Sequence, residues 1–479
     1  VELAAAGTHL AGVGSHLVRH PDVTRVLLTG SLATAQLFAR MRPDLDVLAE
    51  TSGKNAMIVT PSADVDLAVA DTVRSAFGHA GQKCSAASLL VLVGSAGTDD
   101  RLRRQLADAV TSLAVGPATD ASTVMGPLTP AAEGDLLRAL TTLEPGESWL
   151  VEPRRLDDTG RAWTPGVRYD VQPGSWFART EAFGPVLGVV RVPTLDDAIA
   201  VVNSVDLGLT SGLHSLDDDE IDRWTERVEA GNLYVNRHTT GAIVRRQPFG
   251  GWKASVVGPG AKAGGPHYVA QIGTWADAPD VPDRGTAPGA WLARAGESDA
   301  RWWREQFSRE HDPSGLTVES NVLRYRPLPH ATVRVGPGAL AVEVTRVLAA
   351  AERCGVRVDV SVDPDVMHGR VPAPSGQTAA RPNEATTEAV GTLDLALPDD
   401  ARVEDARAFA SRIAAGDVDG RVRVVGRSPG LREAAASRTG FLTVLDAPVV
   451  ASGGRELLAF LREQAVSRTR HRYGHVEAG

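Results

Sequence analysis

The chain is 479 residues long, 43% hydrophobic and 23% charged, which predicts two or three globular domains rather than one core. Its formal charge of -9 comes from interspersed signs, which excludes the basic stripe that nucleic acid or an anionic membrane surface requires. Only two cysteines, Cys84 and Cys354, are present; they exclude a disulfide framework and a Cys-rich zinc site and suit a reducing, cytoplasmic setting.

Apolar positions at helical spacing (Leu10, Val13, Leu17) predict a helix over residues 4–19, ended by His20-Pro21. The β-branched run Val23–Leu28 predicts a strand that breaks at Thr29-Gly30-Ser31 before a helix over Ala33–Met41. Strands are expected at Asp46–Ala49, leading into Glu50, and at Ala56–Val59, ahead of an amphipathic segment over Asp64–His79. The alternation continues through Leu89–Val93, a helix over Arg101–Leu113, Val186–Val192, a helix over Leu195–Asn203 and the run Gly231–Asn236, so the sheet should be mainly parallel. A Gly-rich tract, Pro248–Pro266, follows. No stretch approaches the roughly 18 to 20 apolar residues of a membrane span, and the N-terminus lacks the order of a signal peptide.

Residues 276–291 are rich in Pro, Gly, Ala and Asp without an apolar period, which places a linker over 276–293. Beyond it, Thr332–Val335, a helix over Ala339–Cys354 and Val356–Val362 read as a βαβ unit. Strands at Val422–Val425 and Phe441–Leu445 and a closing helix over Arg455–Ser467 complete a second α/β domain across 294–479. The turn Gly336-Pro337-Gly338 could cradle a phosphate or simply make a tight connection.

Cys84 lies in Gly81-Gln82-Lys83-Cys84-Ser85, a polar, Gly-containing stretch that argues for an exposed loop rather than a core thiol. Cys354, in Ala350-Ala351-Glu352-Arg353-Cys354-Gly355, falls on a helical face and reads as structural. Glu50 ends a strand, where α/β proteins build their sites. A thiolate that attacks a carbonyl, paired with a carboxylate that activates water, is the equipment of thioester chemistry. Only four of the 50 basic residues are lysines, and Lys54, Lys83, Lys253 and Lys262 all sit in Gly-rich motifs, a hint that a compact ammonium is wanted there.

Taken in order, the Thr29-Gly30-Ser31 turn, Glu50-Thr51-Ser52-Gly53-Lys54-Asn55, the Cys84 motif, Glu181-Ala182-Phe183-Gly184-Pro185, Gly208-Leu209-Thr210-Ser211-Gly212, Gly231–Asn236 and Pro248-Phe249-Gly250-Gly251 resemble aldehyde dehydrogenases. The resemblance implies an aldehyde dehydrogenase-like α/β fold that uses NAD, with a partial Rossmann-type cofactor domain, an α/β catalytic domain and then the second α/β domain. It implies Cys84 as nucleophile and Glu50 as base, Gly30 and Ser31 near the cofactor's pyrophosphate, and Glu181 with Phe183 at the nicotinamide riboside. No metal is implied.

Ser85 directly after the cysteine, and the tract from Gln247 through Ala254-Ser255 to Lys262-Ala263-Gly264-Gly265-Pro266-His267-Tyr268, are similar to L-glutamate γ-semialdehyde (1-pyrroline-5-carboxylate) dehydrogenases. The similarity is greatest to the C-terminal half of bifunctional proline utilization A proteins. The substrate would be a small aldehyde, with Ser85, Ser255, Val257 and Gly258 anchoring its α-amino acid end, since Gly-rich backbone binds carboxylates well. That resemblance divides the chain into 1–53 (remainder of the NAD-binding domain), 54–250 (catalytic), 251–275 (anchor loop and return) and 294–479 (non-catalytic). Its further implications are a homo-oligomer and an upstream flavin-dependent proline dehydrogenase region. Two departures stand out: Ser52 replaces a glycine usual after the catalytic Glu, and the first half of the cofactor domain is expected to be missing. With that half would go an Asn of the oxyanion hole and a Lys at the adenosine ribose, so a chain starting at Val1 reads as N-terminally truncated. An aldehyde dehydrogenase of other specificity and a non-catalytic assembly module are the alternatives.

Overall fold

The computed structural model describes residues 9–367, 397–472 and 475–476. The strand Arg25–Thr29 runs parallel to Asp46–Glu50, and the short strand Val256–Val257 adds antiparallel to the latter's other edge. Ser31 caps the intervening helix, Leu32–Met41, by accepting from Thr34 N at 3.2 Å, which is why the chain turns there. The helix predicted from residue 4 spans His9–Arg19; its first residues, 4–8, lie outside the described residues. This unit has a small core of Val18, Ala35, Leu45, Val47 and Ala49, and Leu27 on the outer strand is 53% exposed.

A nine-stranded sheet forms the main body. From one edge its strands are Glu319–Pro327, Leu461–Thr469, Asn232–Val235, Thr210–His214, Asn55–Val59, Ala87–Val93, Val186–Val192, Gly166–Tyr169 and Ser148–Val151. The central pairings are parallel, as the βα alternation predicts, and the outermost pairing at each edge is antiparallel. Near-continuous apolar runs such as Leu89–Val93 are buried on both faces, which parallel strands covered by helices require.

The predicted closing helix over Arg455–Ser467 is corrected. Only Gly453–Glu456 is α-helical, a 3-10 turn follows, and Leu461–Thr469 is a strand paired along its whole length with Glu319–Pro327. Leu, Glu, Gln and Ala favour a helix locally, but the ladder on one side and Asn232–Val235 on the other override that preference. Two stretches of the 294–479 region are therefore built into the main sheet. The predicted linker also ends early, because Pro288–Trp302 is helical, with proline in the first turn where its missing N–H costs nothing.

The rest of the C-terminal region is a five-stranded, all-parallel sheet in the order Arg402–Val403, Arg357–Val362, His330–Val335, Gly420–Val425, Leu442–Leu445. The Gly336 turn is a tight connection, since a side chain there would collide with the carbonyl of Arg427. Helices Pro288–Trp302 and Ala341–Arg353 are joined by Asp299, which accepts from both terminal nitrogens of Arg346 at 2.8 Å, and both side chains are buried. Asp299→Ala should strand that guanidinium and cost about 3–5 kcal/mol, the usual effect of removing one partner of a buried pair. Urea unfolding of the whole chain, with Asp299→Asn as the milder comparison, measures it. A loss under about 1 kcal/mol would show that the pair does not hold the helices.

Candidate active site

Glu50 stands at the C-terminal end of its strand, and the segments ahead of Asn55–Val59, Ala87–Val93 and Val186–Val192 gather opposite it. The loop that joins Glu50 to the main sheet is pinned from several directions. Thr51 N donates to Ser255 O at 3.0 Å, its hydroxyl donates to Ala254 O at 2.5 Å, and Gly53 N donates to Glu181 Oε1 at 3.0 Å. Asn55 then holds the cysteine loop, its Nδ2 donating to Cys84 O at 2.7 Å and Ala86 O at 2.9 Å while its Oδ1 accepts from Thr210 N. Gly53 has to be glycine, because a Cβ there would lie 2.7 Å from Cys84 O.

Cys84 follows a turn in which His79, Ala80 and Gly81 all take left-handed φ angles. Such strain in two non-glycine residues is found where a site needs a particular loop shape. A side chain at Gly81 would strike the carbonyl of Gly184, so the cysteine loop and the Glu181–Pro185 loop touch backbone to backbone. Phe183, also left-handed at φ 53°, leaves its ring exposed beside them.

Burial dominates the electrostatics of the site. Burial pushes the Glu50 carboxyl up to about 8 against the opposing charge of Lys262 and the N–H of Gly251, which Glu50 Oε2 accepts at 3.0 Å. Burial also raises the Cys84 thiol; the Ser85 N–H opposes this, and the carboxylates of Glu50 and Glu181 add to it. Glu181 is raised by burial as well, partly offset by the Gly53 N–H and the Ser52 hydroxyl. Cys84 thus senses both carboxylates, and a base with its pKa near working pH is what general base catalysis favours. Cys354 is buried elsewhere, its thiol pushed up to about 12 chiefly by burial.

Cys84, Glu50, Glu181 and Ser85 are therefore brought together, with Ser85 buried and its carbonyl accepting from the Thr239 hydroxyl at 2.8 Å. Gly30 and Ser31 lie next to Glu50 through a bond from Gly30 N to Glu50 O at 3.1 Å. Ser255 departs from its expected role. It is fully buried, its hydroxyl donates to Ser52 O at 2.6 Å and accepts from Gly208 N at 3.0 Å, and its backbone is bonded to Trp252 and Thr51, so no group is left for a ligand. Val257 and Gly258 line a separate cavity of about 330 Å³ against the C-terminal sheet, which neither Cys84 nor Glu50 lines.

Sequence reasoning missed Asn55 as the clamp on the cysteine loop, although it lies in the quoted Glu50 motif, and it missed the site's buried cations as site residues. Lys54 sits 4.2 Å over the Phe177 ring and is lowered to about 7 mainly by burial. Lys262, 1% exposed, faces Glu50. The scarcity of lysine was the available signal for both.

The site sets a partly buried cysteine among the loops around a strand-end carboxylate, behind a strand–turn–helix unit. Residues 7–275 match the aldehyde dehydrogenase family, and the chain is a member of it. The 1-pyrroline-5-carboxylate dehydrogenase of Bacillus pumilus is 37% identical over 273 residues, 54% of this chain and 52% of that protein. 1-Pyrroline-5-carboxylate dehydrogenase 2 of Bacillus subtilis is 34% identical over 269 residues. Proline utilization A from Corynebacterium freiburgense is similar in structure at a TM-score of 0.79 and 45% identity, across 97% of this chain and 43% of that one. A Thermus 1-pyrroline-5-carboxylate dehydrogenase with bound NAD gives a TM-score of 0.50 at 34% identity, covering 54% of this chain and 51% of that one. The chain thus spans about half the length of the curated relatives it matches.

Proposed function

We propose that this chain carries the thiol-and-base half of an NAD-dependent dehydrogenase that oxidises L-glutamate γ-semialdehyde to L-glutamate, within a proline-utilizing protein that also has a flavin-dependent proline dehydrogenase region. The observation that carries the reading is the convergence of Cys84, Glu50 and Glu181 in one buried site. The Cys84 sulfur adds to the aldehyde carbon, its proton passing to a base, and forms a thiohemiacetal. The chemistry that a bound NAD would supply is acceptance of a hydride from this adduct, whose oxidation gives a thioester. Glu50 then removes a proton from the water that attacks the thioester carbon, the carbon–sulfur bond breaks, and the thiol is restored as glutamate leaves.

The residues fit the diphosphate and nicotinamide end of the cofactor. Gly30 and Ser31 open the exposed N-terminus of a ten-residue helix, a setting that favours anions, and Glu181 and Phe183 flank the Cys84 loop. Ser85 is the position we assign to the substrate's α-amino acid end; Val257 and Gly258, which line the separate cavity, are not assigned to it. The test is NADH formation by the proline-utilizing protein that contains this chain, with 1-pyrroline-5-carboxylate as substrate and a simple aliphatic aldehyde as comparison. Preference for the former by roughly 10-fold or more in kcat/KM is expected, since each 1.4 kcal/mol of specific binding gives that factor. Equal rates would support an aldehyde dehydrogenase of other specificity. Thiol-independent turnover would sink the reading.

A further inference from the structure

The strand Leu461–Thr469 reaches from the C-terminal region into the main sheet and delivers a carboxyl group to the back of the site. Glu463, 4% exposed, accepts from the backbone N–H of Lys262 at 2.7 Å, while its own carbonyl accepts from the Trp252 indole at 2.7 Å. The Lys262 ammonium donates to the carbonyl of Gly250 and lies 3.4 Å from Asn232 Oδ1, and Asn232 Nδ2 donates to the same carbonyl at 3.0 Å. Gly250 C=O and Gly251 N–H are the two ends of one peptide group, and that N–H is the donor to Glu50. A cation bonded to the carbonyl end therefore both fixes the orientation of this peptide and polarises the N–H aimed at Glu50. The packing leaves no slack: a Cβ on Gly250 would lie 2.9 Å from Glu50 Oε1 and 3.2 Å from Lys262 Cγ.

We infer that Glu463 is a positioning residue for Glu50, acting through Lys262 and the Gly250–Gly251 peptide, so that the C-terminal region is part of the catalytic site rather than an appendage to it. The inference rests on the reading of Glu50 as the base. The charged and titratable groups that face this chain of contacts are few. Glu50 is faced by Lys262 and Cys84, Lys262 by Glu50 and Glu463, and Glu463 by Lys262, Arg421 and Tyr325. Arg421 is also tied to the backbone carbonyls of Leu461 and Pro259 at 2.7 and 2.8 Å, which fixes the start of the Leu461–Thr469 strand against the Gly-rich tract.

The sign of the effect follows from the charges. The negative Glu463 favours the ammonium form of Lys262, and that ammonium favours ionised Glu50. Glu463→Gln removes the first charge, so Lys262 loses its proton more readily and Glu50 ionises at higher pH. The titration midpoint should rise by roughly 0.5–1 unit, a 3- to 10-fold loss of ionised base at fixed pH below it.

Carbon-13 NMR of the full chain labelled at glutamate carboxyls reads this without reference to turnover. The Glu50 signal is assigned by its disappearance in Glu50→Gln, and the acid limb of Cys84-dependent ester hydrolysis is followed in parallel. An upward move of both midpoints in Glu463→Gln, with partial return in Glu463→Asp, is the expected result. An unmoved Glu50 midpoint in a folded variant would overturn the inference, even if activity or melting temperature fell. Should Glu463→Gln not fold, Glu463→Asp decides alone: a smaller upward shift supports the inference and none refutes it. A shifted midpoint together with full deacylation in Glu50→Gln would leave the contact standing and remove the base assignment instead.

Discussion

Cys84→Ala is expected to abolish aldehyde oxidation and ester hydrolysis, whereas Cys354→Ala leaves both close to the parent. Deleting the nucleophile of a covalent enzyme costs on the order of 10⁶-fold, as in subtilisin, because no neighbouring group takes over bond formation. The two thiols differ in setting as well as position. Cys84 is only partly buried and faces the loops around Glu50 and Glu181, whereas Cys354 is 2% exposed and packs in the C-terminal core with its thiol directed to Leu457 O at 3.7 Å. Trimming Cys354 removes a small buried group and should cost about 1 kcal/mol of stability. Alkylation by iodoacetamide followed by peptide mass spectrometry gives an independent measure. Label should enter Cys84 in the folded chain, faster as pH rises, and reach Cys354 only after unfolding. Comparable losses from the two alanine variants, or label on Cys354 first, would contradict the assignment.

Glu50→Gln should slow steady-state turnover by about 10²- to 10⁴-fold, the usual contribution of a positioned base. Glutamine keeps an oxygen that can accept from Gly251 N, so the loop geometry survives and only proton transfer is lost. A pre-steady-state burst near one equivalent should therefore persist in the variant while deacylation stalls, with little change in NAD affinity. The pH profile supplies the second check. Burial raises Glu50 from its ordinary 4.5 to about 8, so the fraction of ionised base, and with it deacylation, climbs as pH rises through that region and falls below it. The limb should vanish in Glu50→Gln. An equal fall in NAD binding and turnover would mark Glu50 as a structural carboxylate.

Much of this site was readable without coordinates because its signals are local. Strand–turn–helix punctuation at Thr29-Gly30-Ser31, a carboxylate at a strand end and a thiol in a Gly-rich polar loop are written within a few residues each. Val186–Val192 and Leu195–Asn203 are observed with the predicted bounds for the same reason, since hydrophobic periodicity and a Thr194 cap declare them locally. The contrast between Cys84 and Cys354 likewise needed only their neighbours in sequence.

What the sequence by itself determined, then, was the alternating α/β plan, and it nominated Cys84 and Glu50 as candidate reacting groups; both signals are encoded at short range. The tertiary structure decided which groups hold them. Residues 461–467 have helical composition, yet they form a strand because Glu319–Pro327 and Asn232–Val235, far away in the chain, offer a ladder that no local pattern announces. That pairing buries Glu463 against Lys262 and so ties the C-terminal region to Glu50. Ser255 looks like an anchor in a Gly-rich tract, but its hydroxyl is consumed by Ser52 and Gly208 once the sheets come together. Hydrogen-bond partners distant in sequence are chosen by packing, and a single sequence records the donors and acceptors without recording which of them will meet.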